Sequence, residues 1–149
     1  MEKKRFEELV AEIREGKSNC IIVKGEETFK FILPGVKTLM TLLKEDPSLL
    51  KDSMVLDKVV GKGAAALMIL GGVEEIYAEL ISEHAIKLLE TTDIKFSYGE
   101  KVPFIENKTK TGLCPIEKMS VTSDDPKIIY KKIIDFLSSR TVPQNIESI

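Results

Sequence analysis

Apolar residues near the start of the chain recur at helical spacing, at Phe6, Leu9, Val10 and Ile13, and Gly16 follows them. That pattern predicts an amphipathic helix over residues 2–15 that stops at the glycine. Residues 19–23 and 28–33 are instead short runs rich in β-branched and aromatic side chains, with Gly25 between them, which reads as a β-hairpin. Pro34-Gly35 ends the second strand. Val36, Leu39, Met40, Leu42 and Leu43 then mark a second helical face, closed by Asp46-Pro47 because proline disfavours helix in the residue before it. Residues 48–52 fit a short helical turn.

The pattern then changes to alternating elements. Residues 53–60 form a β run, 63–70 a small-residue helix closed by Gly71-Gly72, and 75–81 a strand. Ser82 suits the N-cap of a helix through residue 90, and 93–97 is a further strand. Strand–helix–strand–helix–strand from 53 to 97 makes two crossover units, which require parallel pairing. Residues 102–105 are a candidate extra strand, 107–111 a polar loop, and Cys114-Pro115 the start of a short turn or helix. Asp124 or Asp125 caps a last helix that carries Pro126 in its first turn and Ile128, Ile129, Ile133, Ile134 and Leu137 inside. Residues 141–149 read as a loose tail. No repeat or linker interrupts this order, so residues 1–149 are expected to form a single α/β domain.

Composition narrows the function classes. With 149 residues, 43% hydrophobic and 31% charged, the chain can bury a core without metal or disulfides. A net charge of −2 offers no electrostatic footprint for nucleic acid, and Lys108 and Lys110 do not make a basic patch. No apolar run approaches the roughly 20 residues that span a bilayer. The expected location is cytoplasmic, with no membrane partner. Lys and Glu dominate the charged residues while Asn and Gln together number four, a skew toward thermophile usage. Two cysteines and one histidine cannot by themselves complete a Cys/His zinc site, so no metal or other cofactor is expected.

Candidate chemistry concentrates at strand-to-helix turns, where the first N–H groups of a helix are unpaired. Gly61-Lys62-Gly63-Ala-Ala-Ala66 formally satisfies the dinucleotide pattern with alanine in the last place, but too few strands follow to complete that fold. Contact with an anion and close packing of the helix on the sheet are both open readings of these glycines. Asp57 and Lys58 precede them on one strand and point to opposite faces. Ser82 and Glu83 open the next helix beside His84. Cys114 sits at a third helix start, where a thiol can become a nucleophile, or can simply be buried. Glu117, one turn on, can accept from an N-terminal N–H in the manner of a capping box.

The layout of a hairpin followed by two helix-opening motifs resembles the cytidine deaminase-like fold, which implies a three-layer α-β-α arrangement on a mixed sheet. Working deaminases open the first helix with His or Cys and a Glu two residues later, and the second with Pro-Cys-x-x-Cys; these groups hold zinc and move the proton. Here the first position reads Gly61-Lys62-Gly63-Ala64, and Ser82 and Ala85 stand where the cysteines would be. The resemblance therefore implies no zinc-dependent deamination. More specifically, Asp57-Lys-Val-Val-Gly-Lys62 with its alanine run, Tyr77-Ala-Glu-Leu-Ile-Ser82, and the stretch from Asn107 through Cys114-Pro-Ile-Glu117 resemble a small uncharacterised prokaryotic family with this fold and no zinc site, over about residues 5–138.

Three functions fit. The first is a zinc-free deaminase-like domain binding a small anionic or nucleotide-like ligand at two helix N-termini, through Asp57, Lys58, Gly61, Lys62, Gly63, Ser82, Glu83, Cys114 and Glu117. No catalytic residue is assigned in that reading. The second is an enzyme with a Cys114 nucleophile and His84 as its base. The third is a non-catalytic structural or regulatory subunit of a homo-oligomer.

Overall fold

The structure, a computed structural model, describes residues 1–107 and 109–148. Lys108 of the polar loop and Ile149 at the end of the expected tail lie outside the described residues. Helix α1 (Lys3–Arg14) leads into the hairpin β1 (Cys20–Lys24) and β2 (Glu27–Phe31), and α2 (Gly35–Glu45) follows. After a single 3-10 turn at Pro47–Leu49 come β3 (Met54–Val60), α3 (Lys62–Gly71), β4 (Glu75–Ser82), α4 (Glu83–Leu89) and β5 (Lys95–Val102). Two further helices close the chain, α5 (Pro115–Ser120) and α6 (Pro126–Ser148). The backbone of residues 141–148, expected as a loose tail, thus continues α6.

The five strands form one sheet in the order β2-β1-β3-β4-β5. β1 pairs antiparallel with both β2 and β3, while β3-β4 and β4-β5 are parallel, so the sheet is mixed and both crossover units are as expected. Residues 93–105 correct the sequence reading. In place of one strand over 93–97 and another over 102–105, a single β5 runs from Lys95 to Val102, bridging the gap around Gly99. It is an edge strand with mostly exposed residues, so no apolar alternation marked its length.

Helices cover both faces of the sheet. α1 lays Leu9 and Ile13 on Ile21, Val23, Met54, Leu56 and Tyr77, and Phe6 meets the Tyr77 ring edge-on at 5.6 Å. Arg14 forks onto Glu79 of β4 at 2.9 and 3.1 Å from the same side. The opposite face (Cys20, Ile22, Val55, Ile76, Ala78) packs against α2, α3 and α4. α3 is the centre of that layer. Ala64, Ala65, Ala66, Leu67 and Met68 are all buried, as a helix apolar on every side must be, and Ile129 and Ile133 of α6 belong to the same cluster. Small side chains let this helix be enclosed by neighbours, and Gly72 ends it in the left-handed conformation (φ 76°), which a side chain would strain. Each fully buried Leu, Ile or Met in this layer contributes roughly 1.5–3 kcal/mol.

Candidate functional site

β3 leaves the sheet core between the N-termini of α2 and α3, and a cavity of about 710 Å³ opens there. Its floor is Asp57, Lys58, Val59, Gly61, Gly63 and Ala64, and its near side is Asn19 with Pro34–Lys37. Residues 105–107 of the β5–α5 connection and 114–117 at the start of α5 form its roof. The cavity thus lies where β1 meets β3 and the sheet changes from antiparallel to parallel pairing, beside the carboxyl end of β3. Such strand ends are the usual ligand positions of open α/β sheets.

Asp57 dominates the cavity's chemistry. Its side chain is only 1% exposed, and Oδ2 has no hydrogen-bond partner among the described residues. The register places it directly between Cys20 on β1 and Ala78 on β4. A Cβ on Gly35, the first residue of α2, would lie 2.0 Å from Oδ2, so the carboxyl group rests against glycine backbone. Burial raises the Asp57 pKa from 3.8 to about 7, against the opposing pull of the Val59 and Lys58 backbone N–H groups. The Cys20 thiol is pushed up as well, by burial first and then by Asp57 beside it. A buried carboxyl with one oxygen left unpartnered is costly to keep, and Oδ2 is the buried side-chain atom among the described residues that lacks a partner.

Glu117 is the second acid in the wall, and it is fully satisfied. It is 2% exposed. Oε1 accepts from the Lys62 backbone N–H at 2.8 Å and from the Ser82 hydroxyl at 3.2 Å; Oε2 accepts from the Ile105 N–H at 2.7 Å. The Ser82 hydroxyl in turn accepts from Ala85 N–H at 3.1 Å and so caps α4 as expected. One carboxylate therefore closes the N-terminus of α3, reaches the N-cap of α4 and holds the roof. Capping was one role open to Glu117 beside ligand contact, and the helix it caps is α3, 55 positions back in sequence, rather than its own.

The sequence candidates divide accordingly. Asp57, Lys58, Gly61, Gly63, Cys114 and Glu117 line the cavity, and Lys62, Ser82 and Glu83 do not. The Lys62 ammonium runs to Asp124 at 2.7 Å, with its own side chain buried and that of Asp124 89% exposed. This pairing holds the Asp124 carboxyl below its ordinary range. Ser82 is buried under Glu117, and Glu83 faces solvent. Lys58 contributes to the wall, but its ammonium lies beside Gly16, at the end of α1 on the other face, as strand alternation requires. Both helix N-termini expected to receive a ligand's anion are thus taken by the chain itself. Gly63 serves close packing: a Cβ there would meet Ile116 at 2.6 Å. Cys114 is half-buried in the wall, whereas His84 is not among the lining residues, so the structure does not assemble the thiol–imidazole pair there.

Sequence reasoning missed Asn19, whose amide donates to the Ile32 carbonyl at the cavity edge, and Gly35. Gly35 had a signal, since a glycine opening a helix two residues after Leu33 marks close backbone approach. Among the described residues no three His, Cys, Asp or Glu side chains are grouped to hold a metal ion. No helix of the described residues is long and apolar enough to cross a membrane.

A mixed five-stranded sheet flanked by helices, with a cavity at the end of β3 roofed by the β5–α5 connection, defines an α/β domain with one principal pocket. Residues 8–137 match the model of the TM1506 family, a domain of unknown function (DUF1893), and the chain belongs to that family. Its fold is similar to the crystal structure of a DUF1893 family protein, TM1506, from Thermotoga maritima. The two share 29% identity over 91% of each chain, with a TM-score of 0.77. No curated protein matches the sequence.

Proposed function

We propose that the domain is a deaminase-like ligand-binding module without a zinc centre, and that the Asp57 cavity takes a small nucleotide-like molecule. The observation that carries this reading is the buried, unpartnered Asp57 Oδ2 in the wall of a 710 Å³ cavity. That volume suits a nucleoside-sized ligand, and ligand pockets of this kind pair an apolar lining with a few placed polar groups. Val36, Ile105, Ile116 and Val59 supply the apolar part.

The deaminase-like comparison gives Glu117 a meaning. In a zinc deaminase the starts of two successive helices carry the groups that hold the metal. Here the starts of α3 and α4 are joined by a carboxylate through Lys62 N–H and Ser82 Oγ. A structural latch stands where the resemblance places the metal ligands, and the open chemistry lies on the other side of Gly61, at Asp57.

A thermal-shift panel of nucleosides, nucleotides and sugar phosphates tests the proposal, with binding located by protection of Cys114 from alkylation. We expect at least one nucleoside or nucleotide to raise the Tm, slow Cys114 modification and lose its effect in Asp57→Asn. A panel in which no compound raises the Tm or protects Cys114 overturns the reading.

A further inference from the structure

Building on the proposed binding role of the cavity, we infer that the part of the ligand seated at Asp57 is a basic nitrogen group of the amidine type, carried on a flat apolar body. The expectation of an anion at this position came from two helix N-termini and a lysine. Each of those attractors is consumed within the fold. The α3 N-terminus donates to Glu117, Ser82 caps α4, and the Lys62 ammonium is bound to Asp124. Lys58 places its ammonium beside Gly16, across the sheet.

The side chains that remain facing the cavity are mainly acidic, and the first turn of α2, which no side chain caps, adds backbone N–H groups at its edge. Asp57 lies in the floor and the exposed Glu106 at the edge, Glu117 of the roof is held by three donors of the fold, and among the described residues Lys37, exposed on α2, is the remaining cation of the wall. Around Asp57 itself, β1 presents the Cys20 thiol, β4 presents Ala78, and α2 presents Gly35 backbone, so among the described residues no cation meets the carboxyl. Oδ2 has no partner, and once Asp57 is ionised a ligand N–H is the group that completes it. An anion seated there would face an acid in a site of low polarity. A protonated amidine would instead form a charge-assisted hydrogen bond, and its planar body would lie along the Ile105 and Ile116 side chains.

The probes are three flat compounds of equal size that differ in one group: benzamidine (cation), benzamide (neutral donor) and benzoate (anion). Each is titrated against the full chain, with Cys114 protection locating the site. We expect benzamidine to bind at least tenfold more tightly than benzoate, with benzamide between them. In the wild-type chain, benzamidine affinity should rise about tenfold from pH 6 to pH 8 as Asp57 gives up its proton, while benzamidine itself stays charged. Asp57→Asn should remove both the preference and the pH dependence. Should that variant fail to fold, the wild-type pH profile decides. Benzoate or inorganic phosphate binding as tightly as benzamidine, or benzamidine affinity flat with pH, overturns the inference while leaving the cavity as a binding site. Absence of binding by these probes and by every nucleoside and nucleotide overturns both.

Discussion

The carboxylate of Glu117 accepts the backbone N–H of Lys62 at 2.8 Å, so the start of α3 is capped by a residue 55 positions later in the chain. The same side chain also takes the Ile105 N–H, which makes it the tie between the central helix and the roof of the cavity. Glu117→Ala should leave two partly or fully buried N–H groups without acceptors. Each such loss costs about 1–3 kcal/mol, so a destabilisation of roughly 2–6 kcal/mol is expected in urea unfolding. Glu117→Gln keeps one acceptor oxygen and should cost less than Glu117→Ala. Equal stability of wild type and Glu117→Ala would remove the latch.

Gly35 and Asp57 make a second pair whose dependence is testable. A methyl group on Gly35 would come within 2.0 Å of Asp57 Oδ2. Gly35→Ala should therefore destabilise by about 1–3 kcal/mol, although alanine is ordinarily the better helix residue. In an Asp57→Ala background the same change should be neutral or stabilising. A double-mutant cycle measures the coupling directly, and additive effects would refute the contact.

Stability should fall as pH rises through the range set by Asp57. Its carboxyl holds a proton up to about pH 7 in the folded chain, against 3.8 for the ordinary group. Between these values the folded state binds the proton and the unfolded state does not. The stabilising contribution is therefore fully present below about pH 4 and is lost as pH climbs through 7, at about 1.4 kcal/mol per pH unit, or roughly 4 kcal/mol in all. Glu79, beside Arg14 and Tyr77, and Asp124, beside Lys62, are both held below their ordinary values, so their contributions weaken as pH falls and do not oppose this loss, and Cys20 is shifted upward. Urea midpoints at pH 5, 6, 7 and 8 should decline for wild type and stay nearly level for Asp57→Asn.

Lys62 provides a contrast. Its ammonium faces Asp124 at the protein surface and not the cavity, while its stem is buried. Lys62→Met retains the buried stem and should fold with a near wild-type Tm, since replacing a buried charged group by an apolar one of similar shape is often tolerated. It should also leave nucleoside binding and Cys114 protection unchanged. Loss of binding in this variant would place the lysine in the site after all.

Most of the element order was legible because it is written in local pattern. The 3.6-residue spacing of Phe6, Leu9, Val10 and Ile13, the proline at position 47 and the Gly71-Gly72 pair each act over a few residues. β5 was harder to read, since Tyr98-Gly-Glu-Lys101 sits on an exposed edge strand and carries no apolar alternation. Gly99 interrupts it for a tertiary reason: a Cβ there would lie 2.8 Å from Glu79 Oε1 on the neighbouring strand. At the site, the sequence placed Asp57, Gly61, Cys114 and Glu117 in one neighbourhood. It did not reveal that Glu117 would occupy the N-terminus meant for a ligand, or that Lys62 would turn to Asp124, 62 positions away. Both depend on α5 and the start of α6 folding back over α3, a long-range packing outcome with no local signature.

That fold-back sets an order in time for the site during synthesis. The floor of the cavity is drawn from residues 19–64, and all five strands are present once Val102 has been made. The roof and the acceptor for the start of α3 come only with residues 105–117. The segment through β5 therefore supplies every strand and the floor around Asp57, but neither the roof nor the acceptor for the central helix. The pocket is complete only in a chain that extends past that last strand.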